Sequence, residues 1–408
     1  MRATSGKRVL VLGGGMGGLV TANELRRRLG RQHRVVLVDR QGQYLYTPSL
    51  LWVMAGTRRP EQAAKGLRWM VLPGVELLQA EVQGIDPAGQ RVLTSAGEQG
   101  YDYLVVALGA DLAPEAMPGF REAAHSFFDL EGATSLGRAL GALDGGRVAV
   151  AISSLPYKCP AAPYEAALLI DDRLRRRGIR DRVELAVYTP EPQPMPVAGP
   201  VVGAAVRGML EAQGIHYHPT VQLASIDPER RELVFKDGAS AGFDLLAGVS
   251  PHRSPRVVRE SPLASETGWV PVDRRTLATR FENVYAIGDV ASITLPGGKP
   301  LPKAGVFAHS EGLSVASEIA ARVQGEGARE FDGAGFCWVS MARGRAGFAS
   351  GAFYAEPEPE MDLRKPGRLW HLGKVLLEQY WLSEGLSRAG ARLALQLGGR
   401  VLGVPVAL

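Results

Sequence analysis

The chain has 408 residues, of which 46% are apolar and 22% charged, and a formal charge of +5. Such proportions exclude a disordered or fibrous chain, and the length calls for two or three domains. The charge is too diffuse to point to nucleic acid; the two cysteines, Cys159 and Cys337, exclude a cysteine-built metal cluster or a disulfide-rich scaffold.

The first apolar run, Val9–Leu12, is four residues long and ends in Gly13-Gly14-Gly15, too short for the core of a signal peptide. No window of about 18 uncharged apolar residues exists, so no membrane-crossing helix is expected. The expectation is a peripheral, monotopic membrane protein without signal peptide, otherwise cytoplasmic. Residues 8–12 read as a strand, and Gly13-x-Gly15-x-x-Gly18 follows at once. A helix over Leu19–Leu29 and a second strand, Val35–Val38, come next, with Asp39 at its end. Gly13 permits a tight turn, Gly15 admits a pyrophosphate to bare backbone, and Gly18 lets helix pack on strand. The acid 21 residues after Gly18 is spaced to bind ribose. A glycine-rich structural turn would not need strand, helix and acid in register.

Two later segments resemble the remaining flavin motifs of flavoproteins with two dinucleotide domains. Tyr103–Ala110 is an apolar strand ending in glycine; Asn283–Val290 ends in Gly288-Asp289 and precedes a helix over about 303–323. The cofactor is therefore expected to be FAD. Gly13, Gly14, Gly15, Met16, Gly17 and Gly18 would hold its pyrophosphate, and Asp39 its adenosine ribose. Arg40 and Val82 would flank the adenine, with Thr47, Leu108, Gly109, Gly288, Asp289 and Lys303 reaching the rest.

Arg147–Ser153 is a strand where many relatives carry a second glycine fingerprint for NAD(P)H. Here it enters Ser153-Ser-Leu-Pro-Tyr-Lys-Cys159-Pro-Ala-Ala-Pro-Tyr-Glu165, whose prolines and bulky side chains leave no bare backbone for a phosphate. A nicotinamide cofactor should not dock there. Cys159 falls ahead of the next helix, whose N-terminus is expected to lower its thiol pKa. On the residues alone, buried unreactive thiols, a redox pair and a structural disulfide all remain open for Cys159 and Cys337.

The chain resembles the sulfide:quinone oxidoreductase family, a branch of the pyridine nucleotide-disulfide oxidoreductases related to flavocytochrome c sulfide dehydrogenase. The segments that carry the resemblance are Tyr44–Gly56, Lys158–Glu165, Leu301–Gly305, Gly335–Cys337 and Gly367–Glu378, spread over nearly the whole chain. The resemblance implies that Cys159 and Cys337 flank the flavin as a disulfide or sulfur-bridged pair, with Cys337 against it. It also implies Glu165 as the nearby acid/base and Lys303 beside the flavin at the quinone end. In two segments the chain departs from the family: Ser126–Gly132 has neither cysteine nor histidine, and Glu191–Pro196 has no histidine. Non-covalent FAD is expected, since the N-terminal domain has no cysteine to attach it.

These readings give an α/β fold with two Rossmann-like dinucleotide-binding domains and a C-terminal amphipathic helical region. The expected divisions are 1–112, the first segment of the FAD-binding domain; 113–268, a second Rossmann-like domain without the NAD fingerprint; 269–330, the return to the FAD-binding domain; and 331–408, a membrane-interface and quinone region. Pro190–Pro200, with five prolines, reads as an extended loop lining the substrate entrance. The arginine-rich stretch Arg173–Arg182 reads as a solvated helix face, and the histidines show no metal-ligand spacing. Residues 361–408 hold seven Lys/Arg against three Asp/Glu. There Leu369, Leu372, Leu376 and Tyr380 recur at helical spacing, followed by Leu386, Leu393 and Leu397 beside Arg388 and Arg392. This pattern suits helices lying in a membrane interface, removable from about residue 366, or a helical pair packed on the flavin domain or a partner subunit.

The expected activity is FAD-dependent oxidation of sulfide to sulfane sulfur through Cys159 and Cys337, with electrons passed to a membrane quinone. A sulfide dehydrogenase serving a cytochrome and a catalytically weak flavin-binding adaptor are the alternatives. No metal or nucleic-acid partner is expected, and a homo-oligomer stays open.

Overall fold

The computed structural model describes residues 6–325 and 327–404. Two parallel five-stranded sheets organise it. In the first, the strands run in the order Val284–Ala286, Tyr103–Val106, Arg8–Leu12, Arg34–Asp39, Val75–Gln79. Leu12 pairs with Val38 on one side and Val106 on the other. Val9–Leu12 and Leu104–Val106 are fully buried, as strands covered on both faces must be. Helix Met16–Arg28 crosses over directly after Gly15 and packs on helix Gly305–Gln324. Glycine makes that approach possible: a Cβ on Gly312 would lie 2.8 Å from the Gly17 carbonyl oxygen. Three strands thus end side by side at Leu12, Val106 and Ala286, and Gly13, Gly109 and Gly288 lie just beyond them. The carboxyl end of a parallel sheet is where such folds bind ligands.

The second sheet has the order Ala124–Ser126, Leu245–Val249, Gly146–Ile152, Val183–Tyr188, His216–His218. Its helices are Ala162–Arg176 and Gly199–Glu211. In the first sheet three residues separate strand from helix; here residues 153–161 intervene, so the turn is an elongated loop rather than a phosphate cradle. The arginine-rich stretch is not simply a solvated face: Asp171, wholly buried, accepts from Arg175 at 2.8 Å and Arg180 at 2.6 Å.

The C-terminal region is helical only in its second half. Ala334–Met341, Arg345–Ala352 and Glu360–Gly367 first form an antiparallel sheet, in which Cys337 pairs with Ala349. Helices Arg368–Leu382 and Gly385–Leu402 follow. On the former, the expected apolar stripe divides: Leu369 and Leu372 face outward, while Lys374, Glu378, Tyr380 and Trp381 are buried. Glu378 accepts from Ser49 Oγ at 2.5 Å and from Arg58 Nη2 at 2.7 Å. Lys374 donates to Glu165, and Trp381 stacks on Tyr44 at 5.5 Å. This helix is therefore part of the core, and the segment from residue 366 is not a removable appendage. The last helix keeps the amphipathic pattern, with Leu386, Leu393, Leu397 and Val401 exposed.

A chain ending at residue 366 should accordingly lose stability rather than gain solubility. Glu165 and Lys374 are 2% and 6% exposed; breaking a buried pair of this kind costs about 3–5 kcal/mol. Thermal denaturation should show a lower Tm or aggregation, and a soluble truncation with unchanged Tm would refute this account.

Candidate active site

Two cavities meet at Cys159, Lys303 and Ala304. The first, of about 980 Å³, opens at the carboxyl end of the first sheet. Gly15, Met16, Gly17, Thr47, Gly109, Gly288, Asp289 and Lys303 line it, and so does Cys159. Helix Met16–Arg28 starts here with no side-chain cap, so its first backbone N–H groups are free for an anion. A Cβ on Gly15 or Gly109 would meet nothing within 4 Å, leaving bare backbone facing open space. This cradle fits a dinucleotide pyrophosphate.

The other expected cofactor residues stand outside that lining. Gly13, at φ +99, and Gly18 shape the turn itself: Cβ atoms there would lie 2.4 Å from the Ala107 carbonyl oxygen and 1.9 Å from that of Gly13. Gly14 donates its N–H to Asp39 Oδ2 at 2.8 Å, and Asp39 Oδ1 accepts from Gln41 N–H. Arg40 is exposed, and Val82 and Leu108 pack against the apolar core on that side of the sheet.

Lys303 borders both cavities. Its Nζ donates to the carbonyl oxygens of Asp289 (2.6 Å) and Ala291 (3.1 Å) and lies 3.6 Å from the centre of the Trp269 ring. Burial pushes the ammonium down to about 8, against the opposing pull of Asp289 and Glu311. Glu311 accepts the Gly288 N–H at 2.5 Å, and burial pushes its carboxyl up to about 7.

The second cavity, of about 1260 Å³, is apolar, with Val202, Ile293, Leu301, Phe336 and Phe353 among its walls. The proline-rich stretch contributes Glu191 and Met195–Ala198. Both cysteines line it. Of the two, Cys159 also lines the cofactor cavity. Both thiols are free.

Cys159 is held in a left-handed conformation, φ +54, a strain of roughly 1–3 kcal/mol for a residue with a side chain. Its N–H donates to the Lys303 carbonyl at 2.6 Å, and its own carbonyl accepts from Ala162 N–H at 2.8 Å. The thiol is open to the cavities yet deep in the protein. Desolvation, with a smaller push from Glu165, raises its pKa to about 11. The expected lowering by the helix N-terminus is thus overcome: burial outweighs the dipole, and the thiol is neutral at pH 7. Cys337 is pushed up further, by burial first and then by any charge on Cys159.

Glu165, expected as a free acid/base, lines neither cavity. Lys374 Nζ holds its carboxylate, donates to Ser340 Oγ at 3.2 Å and stands 5.3 Å from the Trp52 ring centre. Sequence reasoning missed Lys374, although Lys374 and Glu378 sit four residues apart, opposite the leucine stripe. It also missed Trp269, Glu311 and Glu191, which no local spacing marks. Among the described residues no cluster of His, Cys, Asp and Glu could hold a metal.

A backbone cradle at the switch of a parallel sheet, beside a cysteine, defines a dinucleotide-dependent oxidoreductase. Residues 7–312 match the model of the pyridine nucleotide-disulphide oxidoreductases, and the chain belongs to that family. Within it, the resemblance is to the sulfide:quinone oxidoreductases. The mitochondrial sulfide:quinone oxidoreductase of Mus musculus is 26% identical over 303 residues, 70% of this chain; the match spans 66% of that relative's length, just under two thirds. The sulfide-quinone reductase of Aquifex aeolicus (strain VF5) is 26% identical over 402 residues, 92% of this chain and 90% of the relative. The crystal structure of the Aquifex aeolicus sulfide:quinone oxidoreductase superposes with a TM-score of 0.84 at 24% identity, covering 97% and 94% of the two chains, and so shares the fold.

The Lys374→Met variant should lose about 3–5 kcal/mol in chemical denaturation, because Glu165 would be left buried and unpaired. Lys374→Met combined with Glu165→Gln should regain most of it. A single-variant loss below about 1 kcal/mol would show that the pair carries no such weight.

Proposed function

We propose that the protein oxidises sulfide to sulfane sulfur through Cys159 and Cys337 and passes the electrons through non-covalent FAD to a membrane quinone. The observation that carries this reading is that both cysteines line one apolar cavity, with Cys159 at its border with the cofactor cradle. FAD, when bound, supplies the two-electron relay between thiol and quinone. Gly13–Gly18 would form its pyrophosphate turn and Asp39, Arg40 and Val82 its adenosine end; Thr47, Leu108, Gly109, Gly288, Asp289 and Lys303 would reach the remainder.

In the oxidised enzyme the two sulfurs would be bonded. Sulfide enters from the apolar cavity and bonds to Cys337, which faces that cavity alone. The bridging S–S bond breaks, and Cys159 leaves as a thiolate beside the cofactor cradle with the electron pair. The leaving direction follows from position, since Cys159 is the cysteine that also lines the cofactor cavity. Glu165, paired with Lys374, would set the local field rather than accept a proton.

The membrane contact would be made by the exposed Leu386, Leu393, Leu397 and Val401, flanked by Arg388, Arg392 and Arg400 on the same helix. No helix among the described residues is long and apolar enough to cross a bilayer.

Anaerobic addition of sulfide should bleach the flavin, and micromolar NADH should not, because residues 153–161 offer no glycine cradle. Cys159→Ser and Cys337→Ser should each abolish the bleaching with FAD still bound. Bleaching by NADH alone would overturn the reading. Denaturation should release all the yellow colour; flavin retained by the chain would contradict non-covalent binding.

A further inference from the structure

Resting on the sulfide reading above, we propose that Glu191 is the base of the cysteine cavity: its Oε1 takes the proton of the incoming sulfide. Among the described residues lining that cavity, Glu191 is the one carboxylate and Lys303 the one cation. Glu191 is buried, 3% exposed, and no Lys, Arg or His among the described residues pairs with it.

Its two oxygens are used unequally. Oε2 accepts from Tyr157 Oη at 2.8 Å, from Tyr164 Oη and, more distantly, from Thr189 Oγ1 at 3.4 Å. Oε1 accepts from no described residue. The backbone is pinned as well: Glu191 N–H donates to Thr189 Oγ1 at 3.1 Å, and Thr220 N–H donates to the Glu191 carbonyl at 3.1 Å. Tyr157 Oη also reaches the carbonyl of Pro160 at 3.3 Å, so the cluster adjoins the cysteine turn. A carboxylate held this firmly, with one oxygen spent on hydroxyl donors and the other bare, is arranged to receive a proton at the bare oxygen.

The cavity creates the need for it. Apolar walls penalise an anion, so sulfide enters as neutral hydrogen sulfide, which is a poor nucleophile until it loses a proton. Neither cysteine can take that proton while the pair is oxidised, and Glu165 is committed to Lys374. Transfer to Oε1 gives the hydrosulfide anion, which bonds to Cys337 as the Cys337–Cys159 bond breaks. Cys159 would leave with the electron pair as a thiolate; as FAD, when bound, takes two electrons, the Cys159 sulfur would bond to the outer sulfur of the Cys337 persulfide, whose proton goes with the electrons, so the two cysteines are rejoined through one added sulfur.

The groups facing Glu191 are Tyr157 from the cysteine turn, Tyr164 from helix Ala162–Arg176 and Thr189 on its own loop. Tyr217 from the sheet edge packs edge-on to Tyr164 at 6.3 Å, and Lys303 and the two thiols line the same cavity. Burial holds the three tyrosines above their ordinary range, with Tyr217 near 12, so they stay protonated at neutral pH. Burial raises the Glu191 carboxyl, and the three hydroxyl donors pull it back.

Stopped-flow bleaching of the flavin by sulfide, measured without oxygen across pH 5–9, tests this assignment. Glu191→Gln should retain FAD at wild-type content but bleach about 10²–10⁴-fold more slowly, and lose the limb on which the wild-type rate rises with pH. Tyr164→Phe removes a donor that stabilises the anion, so it should move that limb to higher pH. Wild-type protein that sulfide does not bleach would refute the sulfide reading and this assignment with it. A bleached wild type beside a Glu191→Gln variant of equal rate and pH profile would refute this assignment alone.

Discussion

The backbone hydrogen bond from Cys159 N–H to the Lys303 carbonyl, 2.6 Å long, joins the two nucleotide units at the point where their cavities meet. It holds a cysteine in a left-handed conformation that its own side chain disfavours. The same lysine is fixed from its other end, where Nζ reaches the carbonyls of Asp289 and Ala291. One residue therefore registers the loop after the second sheet against the loop that follows the last strand of the first. Without that registration the thiol would not stand in the wall between a backbone cradle and an apolar chamber.

The parts legible in the sequence were those written locally. Strand Arg8–Leu12, the glycine turn and helix Met16–Arg28 are contiguous, and each glycine answers to a steric constraint within the same turn. Gly288 and Asp289 were found for the same reason, as the end of an apolar strand preceding a long helix. The sheet spanning 334–367 escaped because Gly335, Gly347 and Gly351 interrupt its alternation and its pairing is decided between segments. The inward side of helix Arg368–Leu382 escaped because a lysine and a glutamate four residues apart read as solvated surface. Here the partners that make them tolerable, Glu165, Ser49 and Arg58, come from far earlier in the chain. The Cys159 thiol is raised where the sequence pointed to a lowering, because a sequence shows a helix terminus but not the depth at which a side chain ends.

Glu165 and Lys374 place two buried charges together. Glu165 raises the thiol of Cys159 and Lys374 lowers it, so the two members of the ion pair act in opposite directions at the sulfur. Removing either partner would expose the cysteines and Tyr46 to a bare charge, which explains why a C-terminal helix reaches back to the helix behind Cys159. Glu191, which lines the cavity, is held by hydroxyls instead of a cation. The contrast between these two glutamates, one neutralised and one merely hydrogen-bonded, is the main electrostatic asymmetry around the cysteines.

The strand that carries Cys337 pairs with its neighbour in continuous register from Ala334↔Ala352 to Met341↔Arg345, closed by the loop 342–344. Side chains on a strand alternate in direction, so one residue added or lost between Cys337 and Met341 would turn the thiol away from the chamber. The same change inside the loop would be absorbed by the turn. As this lineage diverges, length variation can therefore accumulate at the hairpin tip while the strand beside it is held to an unchanging count, a constraint on inheritance set by the pleat of a sheet and not by the chemistry of sulfur.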